Sequence, residues 1–185
     1  MTYPSNERKF AEATLLLIGR DGWSGFTLTA LAGRLGVTLD EVLLWAQSPE
    51  QALARCGAYI DELSTQSLPE SEKGQSVQDR LFEVLMARFD ALHPYRDAVK
   101  RLAQDLWCSP GLFAQLFCVG HTASGLSLEA AGLTPTGPYG LVQQQALGLV
   151  LLYATVVWLE DETEDQAKTM AALDRALKFG APILQ

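Results

Sequence analysis

Residues 27–45 read Thr-Leu-Thr-Ala-Leu-Ala-Gly-Arg-Leu-Gly-Val-Thr-Leu-Asp-Glu-Val-Leu-Leu-Trp. Leu28, Leu31, Ala32 and Leu35 stand at i, i+3, i+4 and i+7, the spacing of one helix face. Thr27 precedes them as an N-cap, and Gly36 ends the run. Thr38 opens a shorter segment whose stripe is Leu39, Val42, Leu43 and Ala46. The spacing predicts two helices joined by a tight Gly-containing turn. A helix-turn-helix has this shape: the first helix braces while the second lays its N-terminal residues against base edges. Small helical hairpins share the periodicity, so the flanking residues carry the distinction.

On the N-terminal side, Phe10, Ala13, Leu17 and Ile18 stripe a helix from about residue 7 to 20, closed by Arg20-Asp21-Gly22-Trp23. On the C-terminal side, Ser48-Pro49-Glu50-Gln51 reads as a capping box with Pro at the first helical position. Ala52, Leu53, Cys56, Ile60 and Leu63 follow as one stripe. The order of these points resembles the N-terminal domain of the TetR family of repressors. The shared points are Arg20-Asp21-Gly22-Trp23, Thr27-Leu28-Thr29-Ala30-Leu31-Ala32, Gly36-Val37-Thr38 and Ser48-Pro49-Glu50. The resemblance implies an all-α, TetR-like fold with a three-helix DNA-binding head, residues 1–47. Residues 48–185 would form a larger helical domain for ligand binding and dimerisation, with a connecting helix at 48–63 and a linker at 64–76.

Carried onto this chain, the DNA-contacting set is Thr27, Thr29, Arg34, Thr38, Leu39, Leu43, Leu44 and Trp45. Thr27 and Thr38 serve equally as caps, and Leu43, Leu44 and Trp45 suit a docking patch or partial packing as well as base reading. The chain departs from the family in its recognition helix. No basic residue occurs from Leu35 to Ala54, Asp40 and Glu41 sit at the helix start, and Pro49 takes the place of a common Lys. Cationic contacts to phosphate supply most nonspecific DNA affinity. The full chain of 185 residues carries a net charge of −8, against whole-molecule attraction to nucleic acid. That acidity is uneven. Residues 1–60 hold five basic and six acidic residues, and residues 61–185 hold nine and sixteen.

The remainder is helical in pattern. Residues 64–76 are polar and form the linker; stripes follow over residues 77–92 and, past Pro94, to Trp107. Ser109-Pro110 restarts a helix, residues 132–140 read as a loop, and Leu141 to Leu159 is apolar nearly all round. Thr163 and Gln166 suggest a second capping box, with the last helix closing at Gly180 before Pro182. Residues 79–90, His93-Pro94-Tyr95-Arg96, residues 157–161 and residues 173–175 resemble the lipid-binding accessory family of ubiquinone biosynthesis, itself TetR-like in fold.

Met86, Phe89, Trp107, Phe113, Phe117, His121, Tyr153 and Trp158 are candidate walls of an apolar ligand cavity, or plain core. His93 reads as a helix-end residue. The acidic run 160–165 lacks the alternating ligands of a calcium loop and suits a helix N-terminus. No catalytic, cofactor or metal motif is found. Cys56, Cys108 and Cys118 show no CxxC spacing, which suits a reducing, cytoplasmic setting. The longest apolar run, residues 146–159, is 14 residues, short of the roughly 18 of a membrane span, and the polar Met1-Thr2-Tyr3-Pro4-Ser5 leads to the expectation of no signal peptide. A homodimer through Leu141 to Leu159 and Thr163 to Phe179 is implied by the resemblance. The expectation is a ligand-responsive transcriptional regulator; the alternative is a lipid- or isoprenoid-binding accessory protein that does not bind DNA.

Overall fold

The computed structural model describes residues 5–68 and 74–184. Residues 69–73 of the expected linker lie outside them. The described residues form nine α-helices and no strand: α1 Ser5–Asp21, α2 Leu28–Leu35, α3 Leu39–Leu43, α4 Pro49–Gln66, α5 Val77–Leu92, α6 Arg96–Asp105, α7 Pro110–Ala130, α8 Gly137–Glu160 and α9 Ala167–Leu184. Contacts divide the chain into two compact units. One holds residues 1–62 and 92–119, the other residues 63–91 and 120–185. This division differs from a boundary after residue 47.

The first unit shows why. Its core gathers Phe10, Leu17 and Ile18 of α1 with Leu31 of α2, Val42 of α3, Leu53 and Cys56 of α4, and Ala98 and Leu102 of α6. Helix α6 lies against α1 at Gly19, where an added Cβ would come within 3.2 Å of the Ala98 amide nitrogen. The Trp23 N–H donates to Asp105 Oδ2 at 2.7 Å, so the α1–α2 turn is held from the far end of α6. Burial pushes the Cys56 thiol up to about 12, which leaves it an inert core group.

The second unit is built on α8 and α9, which pack together. Phe89 and Trp158 are fully buried with ring centroids 5.6 Å apart, among Leu81, Leu85, Leu147, Leu173 and Leu177. The sequence boundaries shift in five places. Helix α4 runs to Gln66, into the expected linker, and α6 ends at Asp105, with residues 106–108 forming a 3-10 turn. Helix α8 starts at Gly137 rather than near residue 141. Gly140 permits this, because a Cβ there would lie 2.3 Å from the Pro135 carbonyl carbon.

Helix α9 starts at Ala167, not at a Thr163–Gln166 box. Gln166 has φ +54° and sends its side-chain amide to Asp90 Oδ1 at 2.9 Å. Asp161 organises the turn instead. Its Oδ1 accepts from the Thr163 N–H and hydroxyl at 3.1 and 2.6 Å, and its Oδ2 accepts from the Thr169 N–H and hydroxyl, both at 2.8 Å. Burial pushes this carboxyl up, but the hydrogen bonds from Thr163 and Thr169 outweigh it and hold it well below the usual range. At the other end, α9 passes Gly180 and Pro182 to reach Leu184. Gly180 serves packing, since a Cβ there would meet Leu184 at 3.1 Å and Val150 of α8 at 3.8 Å. Pro182 falls in the last turn, where it removes one hydrogen bond rather than breaking a helix in two.

Candidate nucleic-acid interface

Local capping sets the geometry of α2 and α3. The Thr27 hydroxyl oxygen accepts from the Ala30 N–H at 3.1 Å. Gly36 takes φ +69°, a left-handed cap that glycine adopts without strain, and the Val37 N–H returns to the Ala32 carbonyl at 3.1 Å. Thr38 and Glu41 form a full capping box: the Glu41 N–H donates to Thr38 Oγ1 at 3.3 Å, and the Thr38 N–H donates to Glu41 Oε2 at 2.8 Å. The Thr-x-x-Glu spacing that signals this box is present at residues 38–41. The hydrogen bonds from the Thr38 backbone and side chain hold the Glu41 carboxyl below its usual range. One of the two carboxylates at the start of α3 therefore serves the helix, while Asp40 stays exposed.

Val42 and Ala46, one turn apart, are buried and fix the rotation of α3. Leu39, Asp40, Leu43 and Leu44 consequently face outward, Leu44 at 82 % exposure. Trp45 is different. Its ring stacks on Phe10 with centroids 5.6 Å apart and planes 20° apart, and its carbonyl accepts from Arg55 Nε. Trp45 is thus half-buried packing of α3 onto α1. Thr29 and Arg34 are exposed on α2. At the start of α4 the Ser48 hydroxyl accepts from the Gln51 N–H at 3.3 Å, while the Gln51 side chain turns back one residue further, to the Gln47 N–H at 2.8 Å. Several basic groups of this unit already face acids: Arg8 meets Glu12 at 2.8 Å, and Arg20 meets both oxygens of Asp21 at 2.7 and 2.6 Å.

The eight candidate ligand residues fall in both units. Trp107, Phe113 and Phe117 belong to the first unit and are exposed, Trp107 at 89 %. Phe89 and Trp158 are core of the second unit, packed on each other. Met86 is half-buried, Tyr153 is exposed, and half-buried His121 Nδ1 lies 3.1 Å from Gln145 Nε2. Two depressions in the second unit have other walls. One is a cleft of about 10 Å³ between α5 and α9 lined by Val77, Leu81, Leu177 and Leu184; the other is an open groove of about 380 Å³ lined by Asp79, Phe82, Met170 and Asp174.

Among the described residues no group of three His, Cys, Asp or Glu is placed to hold a metal ion. In the acidic run Asp161 is a buried cap. Helix α8, at 24 residues, is long and apolar enough to cross a membrane by length and composition, which the count over residues 146–159 did not anticipate. Core helices of soluble proteins meet the same two criteria, and Leu147, Ala154 and Trp158 of α8 are fully buried here.

Solved structures share the fold across nearly the whole chain. A TetR transcriptional regulator from Nitrosomonas europaea ATCC 19718 superposes with a TM-score of 0.74 at 18% identity, over 96% of this chain and 99% of that one. A TetR transcriptional regulator from Rhodococcus sp. RHA1 gives 0.65 at 16% identity, over 94% and 93%. A TetR-family transcriptional regulator from Streptomyces coelicolor gives 0.60 at 14% identity, over 100% and 88%. No protein-family model matches the chain, and no curated protein matches it. The fold is all-α and TetR-like. The resemblance to the ubiquinone accessory family is not shown by any of these comparisons.

Proposed function

We propose that the chain is a TetR-like transcriptional regulator that binds DNA through α2 and α3. The observation that carries this is the outward face of α3. Caps at both of its neighbouring turns and the buried pair Val42 and Ala46 hold Leu39, Asp40, Leu43 and Leu44 toward solvent, in the place where a helix-turn-helix meets the major groove. Thr29 and Arg34 on α2 supply polar and cationic contacts to phosphate. A near-neutral head offers few such cationic contacts, so binding is weak and falls only shallowly with salt, because the slope scales with the number of phosphates neutralised.

The rest of the reading follows the fold likeness. Two copies meet through α8 and α9, whose exposed Leu149, Leu152, Tyr153, Val156 and Phe179 form an apolar surface of the kind that marks an interface. A small apolar effector bound among the helices of the second unit modulates DNA binding. Free Cys108 and Cys118 are exposed, in keeping with a reducing cytoplasm.

Fluorescence anisotropy with duplexes from around the protein's own gene tests the DNA step. Binding at low salt is expected, with affinity falling linearly in log salt and weakening when Arg8, Lys9 and Arg34 are replaced by Ala. No binding of any such duplex at low salt would sink the regulator. Analytical ultracentrifugation of Leu152→Lys, expected to shift a dimer to monomer, tests the interface. Native mass spectrometry of the purified protein tests the effector, through a co-purified apolar mass.

A further inference from the structure

The outward face of α3 has a restricted chemistry for a helix that reads bases. Leu39 and Leu43 stand one turn apart, as do Asp40 and Leu44. The Thr38 hydroxyl at the head of the helix donates to Glu41 Oε2 at 2.9 Å, so its proton is already used. The face presents one carboxylate acceptor and three branched apolar groups, and none of these four side chains carries an N–H or O–H donor.

The major groove distinguishes bases by complementary chemistry. Guanine shows two acceptors, and adenine an acceptor beside its amine, so bidentate purine reading calls for a side chain with a donor. Cytosine shows an amine donor and thymine a methyl group, which pair with a carboxylate and with an apolar side chain. Adenine's amine is a poor match for Asp40, because the neighbouring N7 would oppose a carboxylate oxygen. The geometry points to a recognition helix that reads pyrimidine edges, with Leu39, Leu43 and Leu44 on thymine methyls and Asp40 on a cytosine N4 amine. Phosphate contacts then fall outside α3, to groups such as Arg34 on α2. This inference rests on the DNA-binding reading above and deepens it by naming the base chemistry.

The test uses the full chain and a duplex library with a random core, selected at low salt. The enriched half-site is remade position by position with uracil for thymine, which deletes only the 5-methyl group. Each methyl removed from a Leu contact weakens binding about fourfold. Leu44→Ala, at a side chain too exposed to disturb the core, binds the thymine and uracil forms alike at one position. Asp40→Ala flattens the cytosine preference at one position and leaves the uracil effect intact. A selected site indifferent to uracil but weakened by 7-deazaguanine overturns pyrimidine reading while DNA binding stands. Duplex retention without sequence enrichment overturns it likewise. If no duplex binds at low salt, the inference falls together with the regulator reading.

Discussion

Replacing Asp161 isolates a single buried carboxylate. Its two oxygens serve different neighbours: Oδ2 takes the N–H and hydroxyl of Thr169, which has no exposed surface, and Oδ1 takes the N–H and hydroxyl of exposed Thr163. In Asp161→Ala the Thr169 N–H is orphaned in the interior, a cost of about 1–3 kcal/mol. The Thr169 hydroxyl can rotate away from the lost carboxylate, and water can replace the bonds to exposed Thr163, so these add about 1 kcal/mol. The expected loss is about 3 kcal/mol, or roughly 6–12 °C in melting temperature for a chain of this length. Asp161→Asn keeps one oxygen for the Thr169 N–H but sets an amide donor against the Thr163 N–H, which turns to water because Thr163 is exposed, so it loses about 1–2 kcal/mol, less than the Ala variant.

The same carboxyl sets an acid limit. Its folded pKa is depressed, so its contribution is complete above the unfolded carboxylate value of about 3.9 and is lost as pH falls below it. Urea unfolding followed by circular dichroism at pH 7, repeated toward pH 3, measures both effects. An Asn variant as damaged as the Ala variant would refute the hydrogen-bond account. So would an Ala variant within about 1 kcal/mol of the parent, or a stability gap between parent and Ala variant that persists unchanged at pH 3.

Two further outcomes follow from α2, α3 and α8. Asp40→Asn, at an exposed position with no role in the cap, leaves the melting temperature unchanged and tightens binding to random-sequence duplex at low salt; unaltered affinity by anisotropy would place α3 away from the phosphates. Gly140→Ala forces a Cβ to within 2.3 Å of the Pro135 carbonyl carbon and destabilises by about 1–3 kcal/mol, whereas Gly33→Ala, with open space at its Cβ inside α2, gains about 0.5–1 kcal/mol; thermal melts that rank them the other way would refute the packing of α8's first turn.

The helices that expose one face to solvent were legible from spacing. The stripe Leu28, Leu31, Ala32, Leu35 and the caps at Thr27, Gly36 and Thr38 locate α2 and α3 closely, because both depend on residues within a few positions. The boundaries that shifted depend on distant partners or close approaches. Gly180 looks like a stop until α8 is seen against it, and Thr163 does cap, its hydroxyl oxygen accepting from the Ala167 N–H at 3.0 Å, but without the Gln166 half of the box, because that side chain goes to Asp90. The outward face of α3 was partly visible: Leu43 and Leu44 are exposed, but Trp45 is taken by Phe10, 35 positions earlier in the chain. Aromatic spacing in the C-terminal half gave no means of telling Phe89 and Trp158, which are core, from Trp107 and Phe117, which face solvent.

The bond from Trp23 to Asp105 also bears on biosynthesis. A ribosome releases residues 1–47 well before residue 105 emerges, so the nascent N-terminal helices wait for Asp105, and for Ala98 and Leu102 of their own core, before they complete their structure. An excised fragment of residues 1–47 would wait indefinitely. Domain-swap chimaeras that graft this head onto another protein should therefore carry α4, whose Leu53 and Cys56 share the same core, and α6 as a second, non-contiguous insert.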